Sequence, residues 1–212
     1  KMPLLEIIVI PQNPEWVVAT CVEFGKKMGK HVIVVNDKTG FYTSRILAPY
    51  INEAAYLFYE GNSVDDIDGA MMDWGYPVGP LTLLDEVGID VAAKVTDIML
   101  KNYGDRLKPP DGWHTIIDDG RYGRKNKKGF YNYKSKKKDV DNSIYKLLPQ
   151  GVSRKKADVA EIQKRCGFGF VNEAVLCLEE NVLRTPRDGD VGAVFGLGFP
   201  PFPGGPFNFL DH

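Results

Sequence analysis

Cysteine is scarce in this 212-residue chain: three residues, Cys21, Cys166 and Cys177, none in a C-x-x-C spacing. An odd count without that spacing argues against a zinc site and against a disulfide framework, and favours a reducing compartment. Long apolar runs are missing too, so no segment is expected to span a bilayer. Charge of one sign is absent: 27 Lys and Arg stand against 28 Asp and Glu, for a formal net charge of -1. That balance gives no reason to expect nucleic acid or an acidic polymer as partner. The start, Lys1-Met2-Pro3-Leu4-Leu5-Glu6, has no signal-peptide pattern, and Lys1 is not an initiator methionine, so the start is expected to lie inside a longer protein. No G-x-G-x-x-G follows a strand. The usual pyrophosphate cradle is therefore lacking, and the chain alone is not expected to hold a dinucleotide well. What remains, 43% hydrophobic and 26% charged residues, suits an ordinary globular protein of one or two domains.

Residues 4–10 (Leu-Leu-Glu-Ile-Ile-Val-Ile) form a short β-branched run closed by Pro11 and Asn13, as expected of a strand buried on both faces. Over 14–30, Trp16, Val17, Thr20, Phe24 and Met28 recur near helical spacing, between Pro14-Glu15 and a basic, glycine-containing end. Residues 31–35 (His-Val-Ile-Val-Val) read as a second strand, completing one β-α-β unit, too small to stand alone and with unpaired edges. Past Thr39-Gly40 the pattern turns helical, over 45–59, 64–72, 81–103 and 158–183. Residues 108–112 and the basic 121–138 read as connectors. The fold class is mainly α, with a terminal β-α-β segment.

An internal repeat organises the helical part. Asn52-Glu53-Ala54 returns as Asn172-Glu173-Ala174, Trp74-Gly75-Tyr76-Pro77 as Leu197-Gly198-Phe199-Pro200, and residues 79–85 (GPLTLLD) as 205–211 (GPFNFLD). Two related helical units are expected. The first copy continues into Glu86-Val87-Gly88-Ile89-Asp90 and a helix, whereas the second stops at His212, so the second should expose apolar surface.

Among residues able to carry chemistry, Glu6 stands out. A carboxylate among Leu4, Leu5, Ile7 and Ile8 needs a partner, cationic or imidazole, unless alternation turns it to solvent. His31, His114 and His212 read as surface or end residues, and none is an obvious partner for it. Thr43 and Ser44, between the last strand and the first long helix, stand where ligands bind beyond the carboxyl ends of strands; an N-cap is the competing role. The stretch Gly123-Arg124-Lys125-Asn126-Lys127-Lys128-Gly129-Phe130-Tyr131 suits anions or is a plain solvated loop.

These segments together resemble the 3-hydroxyacyl-CoA dehydrogenase family. The likeness is carried by Met2 to Ile8, Gly40 to Arg45, Tyr76-Pro77-Val78-Gly79-Pro80 with Leu84-Asp85 and Gly88, and Gly123-Arg124-Lys125 leading to Gly129-Phe130-Tyr131-Asn132-Tyr133. It runs from Lys1 to Asp211, with 135–154 poorly matched. The second-copy motif, Phe170-Val171-Asn172-Glu173-Ala174-Val175 and then residues 192–207, is similar to the multifunctional β-oxidation branch, of the mitochondrial trifunctional-protein α-subunit type. The resemblance implies three parts: 1–39 as the end of a Rossmann-like NAD-binding domain, 40–134 as a first helical unit, and 135–212 as a second. Both helical units would be of the 6-phosphogluconate-dehydrogenase C-terminal type.

By the same resemblance, a histidine upstream of Lys1 takes the proton from the 3-hydroxyl while hydride passes to NAD. Glu6, the candidate catalytic residue of this chain, orients that histidine. Ser44 and Thr43 become candidate substrate-binding residues and Lys125 a cofactor-binding one. Ser44 replaces a common asparagine, Thr39 a usual proline, and Lys127 interrupts a usual Lys-x-Gly-x-Gly rhythm. The implied function is oxidation of long-chain 3-hydroxyacyl-CoA to 3-ketoacyl-CoA in fatty-acid β-oxidation, in a protein also carrying enoyl-CoA hydratase. The implied partners are an acyl-CoA substrate, a second copy of the chain and a thiolase β subunit, and the implied location is mitochondrial. The chain alone would be nearly inactive, lacking the histidine and the glycine loop. The competing class is a non-catalytic helical module for dimerisation or docking. A different dehydrogenase sharing the helical domain is disfavoured by the second-copy motif.

Overall fold

The computed structural model describes residues 2–135 and 137–211; Lys1, Lys136 and the chain-end role expected of His212 lie outside them. The contacts form two compact units, one of Lys1–Leu47 with Phe168–His212, the other of Ala48–Gly167. The division expected from the resemblance, 1–39, 40–134 and 135–212, does not coincide with these compact units. They differ because two long helices, α2 (Thr43–Tyr59) and α7 (Val159–Glu179), each supply residues to both units.

In the first unit, β1 (Leu4–Val9) and β2 (His31–Asn36) pair in parallel, with Glu6 opposite Ile33. Between them runs α1 (Glu15–Lys27). It approaches the sheet at Gly25, where a Cβ would stand 2.7 Å from Val32 Cγ2 and 2.8 Å from Leu5 Cδ2. Only a residue without a side chain allows that contact. Burial on both faces of β1 is not what forms: Leu4 and Val9 are buried, but Ile8 is exposed. Likewise Trp16 (71% exposed), Phe24 and Met28, which spell the helical period of α1, face outward. The reason is the size of the sheet, since two strands cover only one side of a helix. Against the same strands lies α8 (Pro186–Leu197), whose Gly192 meets Ile33, and β2 ends on Leu183 through an antiparallel bridge.

The second unit holds α3 (Val64–Asp73), α4 (Pro80–Val87), α5 (Ile89–Tyr103), α6 (Trp113–Asp118) and a two-residue hairpin of β3 (Tyr131–Asn132) with β4 (Asp139–Val140). Its core includes Tyr50, Phe58, Ile67, Trp113 and Phe130. The single helix expected over 81–103 is two, because Gly88 takes φ 101°, a left-handed conformation that breaks the run. The connector 121–138 contains β3 and a short 3-10 turn at Arg124–Asn126. Among the described residues, no helix is long and apolar enough to cross a membrane.

The repeat is longer than its sequence signal. In α3, Ser63 caps by accepting from Asp66 N at 3.1 Å; in α8, Thr185 accepts from Asp188 N at 3.1 Å. Two residues on, Asp68 receives Leu81 N at the start of α4, and Asp190 receives Phe207 N at the start of α9 (Pro206–Leu210), each at 2.8 Å. Each copy thus ties one helix to the next through a buried or half-buried aspartate. Phe168, Phe202 and Leu210 are exposed in the second copy.

Candidate functional site

Glu6 is half-buried in mid-strand, and its carboxylate is held by three donors. Its Oε1 accepts from Tyr42 N at 2.7 Å and Thr43 N at 3.4 Å, and its Oε2 from Thr43 Oγ1 at 2.7 Å. The turn between β2 and α2 brings those donors there. Gly40 (φ 78°) and Phe41 (φ 49°) are both left-handed and reverse the chain so that the first amides of α2 face the strand. A helix N-terminus leaves amide donors without intrahelical partners and carries partial positive charge, so a carboxylate suits it. The expected cationic or imidazole partner is replaced, within this chain, by backbone amides and a hydroxyl.

Of the two residues weighed as ligand contacts or helix cap, Thr43 bonds to Glu6. Thr43 opens α2, and its hydroxyl donates to Glu6; the cap of the helix is Glu6 itself. Ser44, next along, is exposed. Tyr42 is buried and fixed by its own hydroxyl, which donates to Gly189 O at 2.9 Å. One residue after Ser44, Arg45 is fully buried, with Nε on Glu173 at 2.6 Å and a terminal nitrogen on Glu180 at 2.7 Å. In the other unit Arg165 pairs with Glu53 at 2.8 Å and with Glu60 at 2.7 Å. Sequence reasoning missed both pairs. A signal was present, since Arg45 stands eight residues before Glu53 and Arg165 eight before Glu173, within the repeated segment.

The remaining candidates lie elsewhere. His31 stacks on Phe195, ring centroids 3.7 Å apart, and exposed His114 is 3.4 Å from Asp97. Lys125, in the second unit, forms an ion pair with Asp90, whose carboxyl is held below its ordinary range by that lysine. Arg124 pairs with Glu86 at 3.0 Å and Lys128 with Asp119 at 3.1 Å, so the basic loop is laced with carboxylates. Beneath it Asp85 is fully buried and accepts from Phe130 N and Tyr131 N at 2.9 Å and from the Tyr133 hydroxyl at 3.1 Å. Burial pushes its carboxyl up to about 6, and burial also raises Asp68, which takes the Tyr131 hydroxyl at 2.8 Å. The two aspartates fix the hairpin that follows Lys125. Asp85 was visible in the sequence only as part of a repeated motif.

Residues 40–133, which include these buried aspartates and the basic loop, match the family described as 3-hydroxyacyl-CoA dehydrogenase, C-terminal domain. Residues 40–133 are thus similar to a 3-hydroxyacyl-CoA dehydrogenase C-terminal domain. Over 211 residues it is 52% identical to the fatty acid oxidation complex subunit alpha of Vibrio campbellii, covering all of this chain and 30% of that protein. The chain therefore spans about a third of the length of the curated relatives it matches. The crystal structure of 3-hydroxybutyryl-CoA dehydrogenase from Escherichia coli K12 matches 98% of this chain and 60% of its own, with TM-score 0.82 at 21% identity, a likeness of fold. The (S)-3-hydroxybutyryl-CoA dehydrogenase of Ralstonia eutropha is 33% identical, with TM-score 0.60, over 63% of this chain and 48% of its own. The mitochondrial location implied by the resemblance is overturned, because these relatives at half identity are bacterial proteins.

The turn after β1 and the cleft beyond the strand ends bear on the NAD that the resemblance implies. The turn after β1 holds Ile10-Pro11-Gln12-Asn13-Pro14, and α1 then opens with Glu15, placing a carboxylate where an N-terminus would receive a phosphate. A cleft of about 1010 Å³ opens beyond the strand ends, lined among others by Val9, Asn36, Lys38 and Arg184. Its lining includes four carboxylates, Glu15, Glu23, Asp37 and Glu180, against two cations. These residues do not fit a dinucleotide's pyrophosphate.

Proposed function

We propose that this chain is part of a bacterial fatty-acid β-oxidation enzyme that oxidises long-chain 3-hydroxyacyl-CoA to 3-ketoacyl-CoA with NAD. The observation that carries the reading is the Glu6 carboxylate, held at the start of α2 by Tyr42 and Thr43. A carboxylate fixed in this way accepts an imidazole N–H, selects the tautomer whose other nitrogen takes a proton, and stabilises the imidazolium that results. The histidine and the dinucleotide cradle belong, in this reading, to a part of the protein outside these residues. Residues 1–39 are then the end of its NAD-binding domain, with 40–134 and 135–212 as two helical units. Exposed Ser44 is the proposed contact to the acyl-CoA substrate. Lys125 is the proposed contact to the cofactor, exchanging its ion pair with Asp90.

The name of the relatives, subunit alpha of a fatty acid oxidation complex, supports a larger assembly. We take the whole protein to carry enoyl-CoA hydratase as well and to bind a thiolase β subunit. For these residues taken by themselves, the outer edge of β1 has no ladder partner among the described residues and exposed apolar residues lie nearby on α1, which favours oligomers or strand exchange. Those same exposed residues, Trp16 and Phe24, favour a second reading, a non-catalytic dimerisation or docking module. Expression of the full reading frame and an assay of NADH oxidation with a 3-ketoacyl-CoA decides between them. The enzyme reading expects turnover that falls roughly 10- to 100-fold in Glu6→Gln. No turnover, together with tight self-association, favours the module.

A further inference from the structure

We infer that Thr43 is a positioning residue of the proposed dehydrogenase: its hydroxyl fixes the Glu6 carboxylate and does not contact substrate. The inference rests on the dehydrogenase reading and deepens it. Helix N-termini are ordinarily capped by a side chain next to the helix in sequence. Here the cap comes from 36 residues upstream, on a strand, so the contact orders Glu6 as much as it orders the helix. The turn that delivers the donors holds Phe41 at φ 49°, an unfavourable conformation for a bulky residue, and one that concentrates at functional sites. Tyr42 is in turn locked between Gly189 O and the small-residue face of α8 at Gly192, so its amide cannot follow a wandering carboxylate. Held at Oε1 alone, the Glu6 carboxylate could still pivot about its hydrogen bond to the Tyr42 amide. The 2.7 Å bond from Thr43 Oγ1 to Oε2 removes that freedom. With both oxygens assigned, the remaining lone pairs point in fixed directions, which an orienting carboxylate requires.

The test is steady-state kinetics of the full-length protein with NADH and a 3-ketoacyl-CoA, comparing Thr43→Val, Thr43→Ser and Glu6→Gln. Thr43→Val is expected to lower kcat roughly 10- to 100-fold, as loss of an orienting partner does, with KM for the ketoacyl-CoA changed about twofold or less. Thr43→Ser keeps the hydroxyl and restores kcat. Added to Glu6→Gln, Thr43→Val has no further effect, because both act through one contact. A raised KM with unchanged kcat would place Thr43 against the substrate and overturn the proposal. So would a Thr43→Ser enzyme as impaired as Thr43→Val, or additive losses in the double variant. Thermal melting confirms that each variant is folded; if Thr43→Val is not, Thr43→Ala takes its place in every comparison. A wild-type enzyme without turnover overturns the dehydrogenase reading and this role with it, whereas an active wild type with an unaffected Thr43→Val overturns this role alone.

Discussion

Replacing Glu173 by alanine tests whether the buried arginine organises the first unit. Arg45 is 0% exposed and its Nε sits 2.6 Å from Glu173, itself 2% exposed; a second carboxylate, Glu180, stands 2.7 Å from a terminal nitrogen and is partly in solvent. Removing one partner of a buried ion pair destabilises by about 3–5 kcal/mol, because a charge is left with too little compensation. Glu180 remains in place, so the lower end, about 3 kcal/mol, is expected. At about 2–4 °C per kcal/mol for a chain of this size, Tm falls by about 6–12 °C. The assay is urea denaturation followed by circular dichroism; where the two units melt separately, the earlier shift belongs to the unit containing Arg45. Replacing both partners, Arg45→Met with Glu173→Leu, should recover much of the loss, since apolar residues of similar volume carry no desolvation penalty. A loss below about 1 kcal/mol in Glu173→Ala would refute the reasoning, by showing that the guanidinium reaches water at little expense. The exposed pair of Lys26 and Glu23 is the control, and Glu23→Ala should not move the midpoint.

Asp85 gives a pH prediction with a definite sign. Its carboxyl rises from 3.8 to about 6 on burial, so the stability linked to its protonated form is fully present below 3.8 and is lost as pH rises through about 6. Wild type should therefore gain on Asp85→Asn by up to about 3 kcal/mol as pH falls from 7 to 4, read from urea midpoints; a gap that narrows contradicts this. Gly25→Ala places a methyl group against Val32 and Leu5 and should destabilise by about 1–3 kcal/mol in the same assay, whereas a neutral result means α1 can lift from the sheet.

Much of the fold was legible because it rests on periodicity and punctuation. The two strands, α2 and α3 follow runs whose spacing has no competing interpretation, and the repeated Asn-Glu-Ala and Gly-Pro motifs mark equivalent corners. The failures have physical causes. Helical spacing shows that α1 is amphipathic but not that its apolar stripe has something to pack against, and Trp16 is exposed because the sheet has only two strands. Gly88 splits a continuous apolar pattern by a backbone conformation that periodicity does not encode. At the site, Glu6 was legible as a carboxylate in apolar company, but its donors depend on the turn at Gly40 and Phe41, which no spacing rule gives. The bond from Thr43 to Glu6 was not legible either, since a hydroxyl near a helix start caps, binds or clamps depending on what the fold brings opposite it. The Arg45 and Arg165 pairs went unseen because a buried arginine looks like any surface arginine until its partner is known.

The measurement that bears most directly on the account is the sequence of the reading frame preceding residue 1. The account predicts a histidine followed by an aromatic residue, two further residues and a proline, roughly a dozen residues before Glu6, preceded by a glycine-rich strand-turn-helix segment. Absence of that histidine would leave the Glu6 carboxylate with no imidazole to orient and would contradict the dehydrogenase reading.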